Sequence, residues 1–180
     1  MNSLGTLFKN PIFRFLTLAG GIYFIWLFVY YFLIKVYTDW DYWLDYNIVH
    51  LSHYFLQIFG IDTFINLDGS MVMLFVTEGD FRSVTVGDEC NGFKLFSIFS
   101  IFVIAFPGPW KKKLWFIPLG IIFIHLANVM RVSALMLIQE YHPEYLDFNH
   151  LYTFTIFVYG IILLLWYWYI KRFSDYAKKN

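Results

Sequence analysis

The sequence contains only one cysteine, Cys90, among its 180 residues. A single thiol cannot form a disulfide within the chain, and it excludes a CxxC redox motif or a zinc site built on several cysteines. Two alternatives remain: a buried thiol that packs as a small apolar side chain, or a reactive thiol.

Charged side chains are also scarce, at 14% of the residues, whereas hydrophobic residues make up 59% and aromatic residues 24%. A soluble domain of this size could not bury so much apolar surface in its core. We therefore predict an integral membrane protein in contact with the lipid bilayer. We expect no nucleic-acid partner and no cofactor.

Four apolar stretches approach or exceed the roughly 20 residues that cross the hydrocarbon layer as a helix. They cover residues 12–36, 92–106, 114–138 and 151–170. The first is too long for the core of a signal peptide and is followed by no small-x-small cleavage pattern, so we expect a retained anchor. The sequence predicts about four transmembrane helices within a single integral membrane domain, residues 1–180.

Basic residues predict how these helices are oriented, because they concentrate on the cytoplasmic side. They lie at the start of the first stretch, fill the turn between the second and third, and follow the fourth: Lys9, Arg14, Lys111, Lys112, Lys113, Lys171, Arg172, Lys178 and Lys179. We predict that both termini are cytoplasmic and that residues 37–89 are extracytoplasmic. The expected location is the cytoplasmic (inner) membrane.

Residues 37–89 carry two predicted elements. Apolar residues recur with a helical period over residues 42–59, which predicts an interfacial helix along the membrane. Residues 71–77 and 81–86 are rich in valine, threonine and phenylalanine and flank Glu78-Gly79-Asp80, which predicts a β-hairpin. The expected fold is an all-α membrane protein with about four transmembrane helices, an interfacial helix and a small extracytoplasmic β-hairpin.

Cys90 stands at the entrance of the second apolar stretch, in the string Asp88-Glu89-Cys90-Asn91-Gly92-Phe93-Lys94. A thiol attacks as the thiolate, which a helix N-terminus favours and which Lys94, one turn further on, favours as well. The adjacent acidic residues act in the opposite direction. Gly92 leaves room for a substrate to approach closely.

Arg131 falls within the third apolar stretch, where an arginine that faced lipid would be costly. We expect it to face the helix bundle near the outer end of its helix. Asn128, one turn earlier, is placed to hold the guanidinium or to contact a substrate. The alternative is an arginine that snorkels to the interface, or one that is neutralised by Glu140 or Asp147.

Five histidines are candidates for a general base. His150 opens the fourth stretch on the predicted outer side and is the first candidate, whereas His142 in the preceding loop is the second. His125 lies deeper, where we expect a packing or hydrogen-bonding role. His50 and His53 could share a metal ion, but two histidines without a third ligand are a weak signal, so no metal site is predicted.

These residues resemble those of the exosortase and archaeosortase family of integral-membrane cysteine transpeptidases. The resemblance covers about residues 85–159 and rests on Glu89-Cys90-Asn91-Gly92, on Asn128-Val129-Met130-Arg131 and on His150. It implies that Cys90 is the nucleophile, Arg131 the stabiliser and His150 the acid and base. The implied substrates are membrane-anchored proteins with a C-terminal sorting signal, made of a short motif, a transmembrane helix and a basic tail.

The chain departs from the family pattern at two positions, since a small residue is usual at Asn91 and the glycine often found after the histidine is missing after His150. It also resembles a compact form of the family. An alternative from another class is a non-enzymatic membrane assembly factor of a surface-polymer or export system. A small transporter that uses Arg131 and His125 is a third hypothesis.

Overall fold

The computed structural model describes residues 10–69, 71–77, 82–87 and 90–173. By its internal contacts the chain forms two compact units. One contains residues 1–38, 96–121 and 163–180, and the other contains residues 39–95 and 122–162. The assignment of a single domain stays a prediction.

Helix α1 comprises Pro11–Val29, a π-helical turn over Tyr30–Ile34 and a last turn over Lys35–Tyr37. Its first turn is capped by Asn10, whose side-chain oxygen accepts a hydrogen bond from the backbone N–H of Ile12 at 2.9 Å. Pro11 follows at the first helical position, where its missing N–H costs nothing. With 27 residues, this run is long and apolar enough to cross a membrane.

Helices α2 and α3 are shorter. Helix α2 comprises Trp40–Ile58, which confirms the predicted helix after the first stretch, and α3 comprises Phe93–Ala105. At 13 residues, α3 is about 20 Å long and does not reach across a hydrocarbon layer of about 30 Å. Gly92 in a left-handed turn limits α3 at one end, and Pro107-Gly108-Pro109 limits it at the other.

Two long helices complete the helical part. Helix α4 comprises Trp110–Tyr141, and α5 comprises Phe154–Phe173. Helical turns over Pro143–Tyr145 and Leu146–Phe148 and a π-helical turn over Asn149–Thr153 lead directly into α5. Among the described residues, three helical runs are therefore long and apolar enough to span a membrane. The prediction of about four spans corresponds to these three runs and the shorter apolar helix α3.

A three-stranded antiparallel sheet lies between α2 and α3 in the sequence, in the order β1 (Thr63–Asp68), β2 (Met71–Val76) and β3 (Ser83–Val86). Strands β2 and β3 confirm the predicted antiparallel pair, with Val72 opposite Val86. Their predicted turn, Glu78-Gly79-Asp80, lies outside the described residues. Strand β1 was not predicted, because most of its side chains are exposed and its apolar alternation is weak.

The core of the second unit joins α2, the sheet and part of α4. Its members are buried aliphatic side chains and one methionine: Ile48, Val49, Leu56, Val72, Leu74, Val76, Val86, Val132 and Met136. Cys90 packs against this cluster. Helix α2 therefore has one face in the core, while its other face exposes aromatic and aliphatic side chains such as Trp40, Trp43 and Tyr54.

In the first unit, α3 and α4 are joined by the hydrogen bonds of a buried lysine and by close packing of a glycine against an aromatic ring. Lys113 is buried, and its Nζ donates hydrogen bonds to the carbonyl oxygens of Ile104 and Phe106, both at 2.7 Å. It thus satisfies carbonyl groups at the C-terminus of α3. Gly120 faces the fully buried ring of Phe99 so closely that a Cβ atom would overlap it.

We predict that Gly120→Ala destabilises the protein by about 1–3 kcal/mol, because the added methyl group overpacks the contact with Phe99. The measurement is the thermal unfolding midpoint in detergent. Gly160→Ala is the matched control, since nothing beyond its chain neighbours and its own helix backbone lies within 4 Å of its Cβ position. In a Phe99→Leu background the same Gly120 substitution should cost less; an equal cost would contradict the packing argument.

Candidate active site

Cys90 lies in the turn that leads into α3, and its backbone is held on both sides. Its N–H donates a hydrogen bond to the carbonyl oxygen of Gly87 at 2.7 Å. Its own carbonyl oxygen accepts one from Nδ2 of Asn128 at 2.5 Å. Gly92 follows with φ of 84°, a conformation that other residues rarely adopt. The path of the chain around the thiol is therefore fixed by contacts within the second unit.

The thiol lies beside an imidazole and a guanidinium that come from two other parts of the unit. Cys90 Sγ is 3.3 Å from His150 Nε2 and 3.9 Å from Arg131 Nη2. The structure thus brings together the three residues to which the sequence assigns catalytic roles. The roles themselves stay predictions.

Arg131 is only 8% exposed. Its Nη2 donates to the thiol, whereas its Nε is buried and has no hydrogen-bond partner among the described residues. Among the described residues, the structure shows no ion pair between the Arg131 guanidinium and the carboxylate of Glu140 or Asp147. The guanidinium therefore keeps donor capacity beside the sulfur atom.

Asn128 is fully buried one turn before Arg131 and serves a different contact from the two that we expected. Its amide nitrogen holds the carbonyl group of Cys90 and does not hold the guanidinium. Its side-chain oxygen is buried without a hydrogen-bond partner in the described part of the chain. Asn128 is thus a support of the cysteine turn in this structure.

The two candidate bases differ clearly in position. His150 lies in the π-helical turn Asn149–Thr153, and its Nε2 contacts the thiol. The side chain of His142 is 68% exposed, and its Nδ1 lies 3.5 Å from a carboxylate oxygen of Glu144. It does not line the cavity at the thiol. The geometry favours His150.

The remaining histidines have local partners. His125 Nε2 lies 2.8 Å from Asn47 Oδ1, and His53 Nδ1 lies 2.6 Å from Thr63 Oγ1. His50 Nδ1 lies 3.0 Å from the carbonyl oxygen of Tyr46. Within the described ranges, no three side chains of histidine, cysteine, aspartate or glutamate form a group that could hold a metal ion.

A cavity of about 270 Å³ opens at the thiol. Gly92 and Lys94 line it beside the three residues described above. Their supporting or substrate-binding role stays a prediction. Helix α5 and the turn before it add Leu151, Thr155 and Tyr159. The cavity therefore has a cationic end at the thiol and a largely apolar wall.

Two residues, Asn91 and Asp41, make contacts at the site that the sequence did not predict. Asn91 Nδ2 donates to Asp41 Oδ1 at 2.8 Å, and the backbone N–H of Phe93 donates to Asn91 Oδ1 at 3.0 Å. The signals for Asn91 were its position next to the cysteine and its departure from the family pattern. Asp41 gave none, because its contact joins residues that are fifty positions apart.

The fold and the site define an integral membrane protein with a thiol, an imidazole and a guanidinium in one cavity. A family model described as transmembrane exosortase (Exosortase_EpsH) matches residues 4–168. The chain therefore belongs to the transmembrane exosortase family, as its resemblance indicated. Neither the curated proteins nor the solved structures include a significant match to the chain.

We predict that His150→Ala slows alkylation of Cys90 by iodoacetamide at pH 7 about tenfold, because the thiol would lose the imidazole to which we assign its proton. His142→Ala is the control and should leave the rate within about twofold of the unmodified protein, as expected for an exposed side chain outside the cavity. The measurement is the second-order rate constant on the purified full chain. Equal rates for both variants would argue against a thiol–imidazole pair.

Proposed function

We propose that the protein is a membrane cysteine peptidase or transpeptidase that cleaves proteins through a thioester on Cys90. The observation that carries this proposal is the contact of one sulfur atom with both His150 Nε2, at 3.3 Å, and Arg131 Nη2, at 3.9 Å. A nucleophile beside its base and beside a cationic hydrogen-bond donor is the arrangement that acyl transfer requires. Family membership supports it.

In the first half of the reaction, His150 takes the proton of the Cys90 thiol, and the thiolate attacks the carbonyl carbon of the scissile peptide bond. The carbonyl oxygen becomes an oxyanion, which the Arg131 guanidinium stabilises; one such donor is commonly worth about 3 kcal/mol. The carbon–nitrogen bond then breaks. The imidazolium of His150 gives its proton to the leaving amine, and a thioester remains on Cys90.

In the second half, neutral His150 removes a proton from the acceptor, which then attacks the thioester carbonyl. The thiolate leaves and regains the proton from the imidazolium, so that the enzyme returns to its starting state. Water as the acceptor gives hydrolysis, whereas an amine or a hydroxyl group of a surface molecule gives transpeptidation or ester formation. Arg131 stabilises the oxyanion of this step as well.

The proposed substrates are membrane-anchored proteins whose C-terminal sorting signal contains a transmembrane helix and a basic tail. The proposed location is the cytoplasmic membrane, with the thiol on the extracytoplasmic side and both termini in the cytoplasm. The resemblance of the site residues supports the substrate class. The distribution of lysine and arginine along the chain supports the orientation.

One observation favours the non-enzymatic assembly factor as a second candidate. Cys90 packs against the core cluster of the second unit, as an unreactive thiol would. The two hypotheses differ in what the sulfur atom must do. Packing needs only its volume, whereas catalysis needs a thiolate.

We therefore predict that Cys90→Ser lowers cleavage of a reporter protein with such a sorting signal by at least about 10³-fold, as loss of a nucleophile does in related chemistry. Serine is nearly isosteric, so a packing thiol would tolerate the change. Cleavage is followed by the size of the reporter in membranes. Near-normal cleavage by a variant with an unchanged unfolding midpoint would sink the enzymatic proposal.

We also predict that a membrane-impermeant maleimide labels Cys90 in intact cells. The control is Lys112→Cys in a Cys90→Ser background, because Lys112 is exposed in the first turn of α4, which we propose lies on the cytoplasmic side. That variant should react only after lysis. The opposite labelling pattern would reverse the proposed orientation.

A further inference from the structure

The side chain of Asn91 is fully buried, and both ends of its amide group are engaged. The nitrogen donates to Asp41 near the start of α2, and the oxygen accepts from the backbone N–H of Phe93 in the first turn of α3. One side chain thus ties the residue after the nucleophile to two helices. We call Asp41 and Asn91 together the Asp41–Asn91 pair.

We propose that the Asp41–Asn91 pair positions the thiol of Cys90 toward His150 and Arg131. The two residues are positioning residues, since the structure shows neither of them among those that line the cavity at the thiol. The proposal rests on the function proposed above, for which the direction of the sulfur atom matters. It assigns a role in that reaction to a residue of α2.

The turn that carries Cys90 needs such a contact because of the residue that follows Asn91. The residue after Asn91 is a glycine, whose backbone has the widest conformational freedom of any residue. The hydrogen bond from Asn128 fixes the carbonyl group of Cys90, but it does not fix the backbone of Asn91 and Gly92. Without a contact at Asn91, rotation about Gly92 would move the cysteine turn relative to α3.

The hydrogen bond from Asn91 to Asp41 is suited to holding the cysteine turn in place, because one partner carries a charge. A hydrogen bond to a carboxylate is stronger than one between neutral groups, and a buried amide that loses its partner is strongly disfavoured. The sulfur atom sits 3.3 Å from His150 Nε2 and 3.9 Å from Arg131 Nη2. A displacement of about 1 Å is enough to reduce the rate of such a site strongly.

The test exchanges the two partners. Asn91→Asp places a carboxylate against that of Asp41 and removes the donor, whereas Asp41→Asn keeps an acceptor oxygen for Asn91. The double variant Asp41→Asn/Asn91→Asp restores one donor and one acceptor, because the amide at position 41 then donates to the carboxylate at position 91. In both variants with aspartate at position 91, the carboxylate at that position still accepts the hydrogen bond from the backbone N–H of Phe93.

The readout is the rate constant for alkylation of Cys90 by iodoacetamide, measured on the folded full chain together with its unfolding midpoint. We expect Asn91→Asp to slow alkylation about tenfold at pH 7, in line with a misplaced reacting group. Asp41→Asn and the double variant should stay within about threefold of the unmodified protein. Asn66→Asp on the exposed strand β1 is the matched control and should change nothing.

A purely structural role would lower the unfolding midpoint but leave the rate constant of the folded molecules unchanged, and that result would overturn the proposal. A double variant as slow as Asn91→Asp would also overturn it, because the restored donor and acceptor would then restore no rate. A neutral variant, Asn91→Ala, that reacts normally would overturn it as well. If Asn91→Asp does not fold, Asn91→Ala and the double variant decide the question in its place.

These outcomes are separate from the fate of the proposed function. Alkylation needs no protein substrate, so it reports on the thiol even if the physiological reaction differs. A Cys90→Ser variant with full cleavage activity would refute the proposed enzymatic function. Normal alkylation of Asn91→Asp and Asn91→Ala, combined with an inactive Cys90→Ser variant, would refute only the positioning role of the Asp41–Asn91 pair.

Discussion

The burial of the Arg131 guanidinium is the constraint on which the site depends. A charged group at 8% exposure within an apolar helix is costly unless it finds a polar partner. The structure directs it toward the sulfur of Cys90, with no carboxylate paired to it among the described residues. No carboxylate among these residues offsets its positive charge. It favours the negative charge that first the thiolate and then an oxyanion would carry.

Around this charge, α4 is fixed to its neighbours by polar contacts that lipid cannot replace. Asn128 bonds to the backbone of the cysteine turn, and the hydroxyl of Ser52 on α2 bonds to the carbonyl of Val129 at 3.3 Å. His125 contacts Asn47 on the same helix α2. Apolar packing alone is weakly directional, whereas these contacts define which turn of α4 faces the cysteine. The second unit thus holds its catalytic candidates by hydrogen bonds as well as by a core.

Features with a local cause could be predicted from the sequence. The spanning helices follow from composition, and Arg131 is conspicuous because an arginine in an apolar helix has a cost that does not depend on the fold. The Asp41 contact could not be predicted, since it depends on two segments meeting in space. Strand β1 was missed for a related reason: its partner β2 stabilises it through backbone hydrogen bonds, while its own exposed side chains carry a weak pattern.

The lengths of the helices also bear on which peptide bond could reach the thiol. Along α4, Arg131 follows Lys113 by eighteen residues, or about 27 Å of helix, and His150 precedes Lys171 by twenty-one residues, or about 30 Å. Both separations match the hydrocarbon thickness of about 30 Å. In the proposed orientation, with Lys113 and Lys171 on the cytoplasmic side, the two groups that contact the sulfur would lie near the opposite edge of that layer. The proposed membrane-anchored substrates would present a peptide bond just outside their transmembrane helix at that same depth, while the helix stays in lipid.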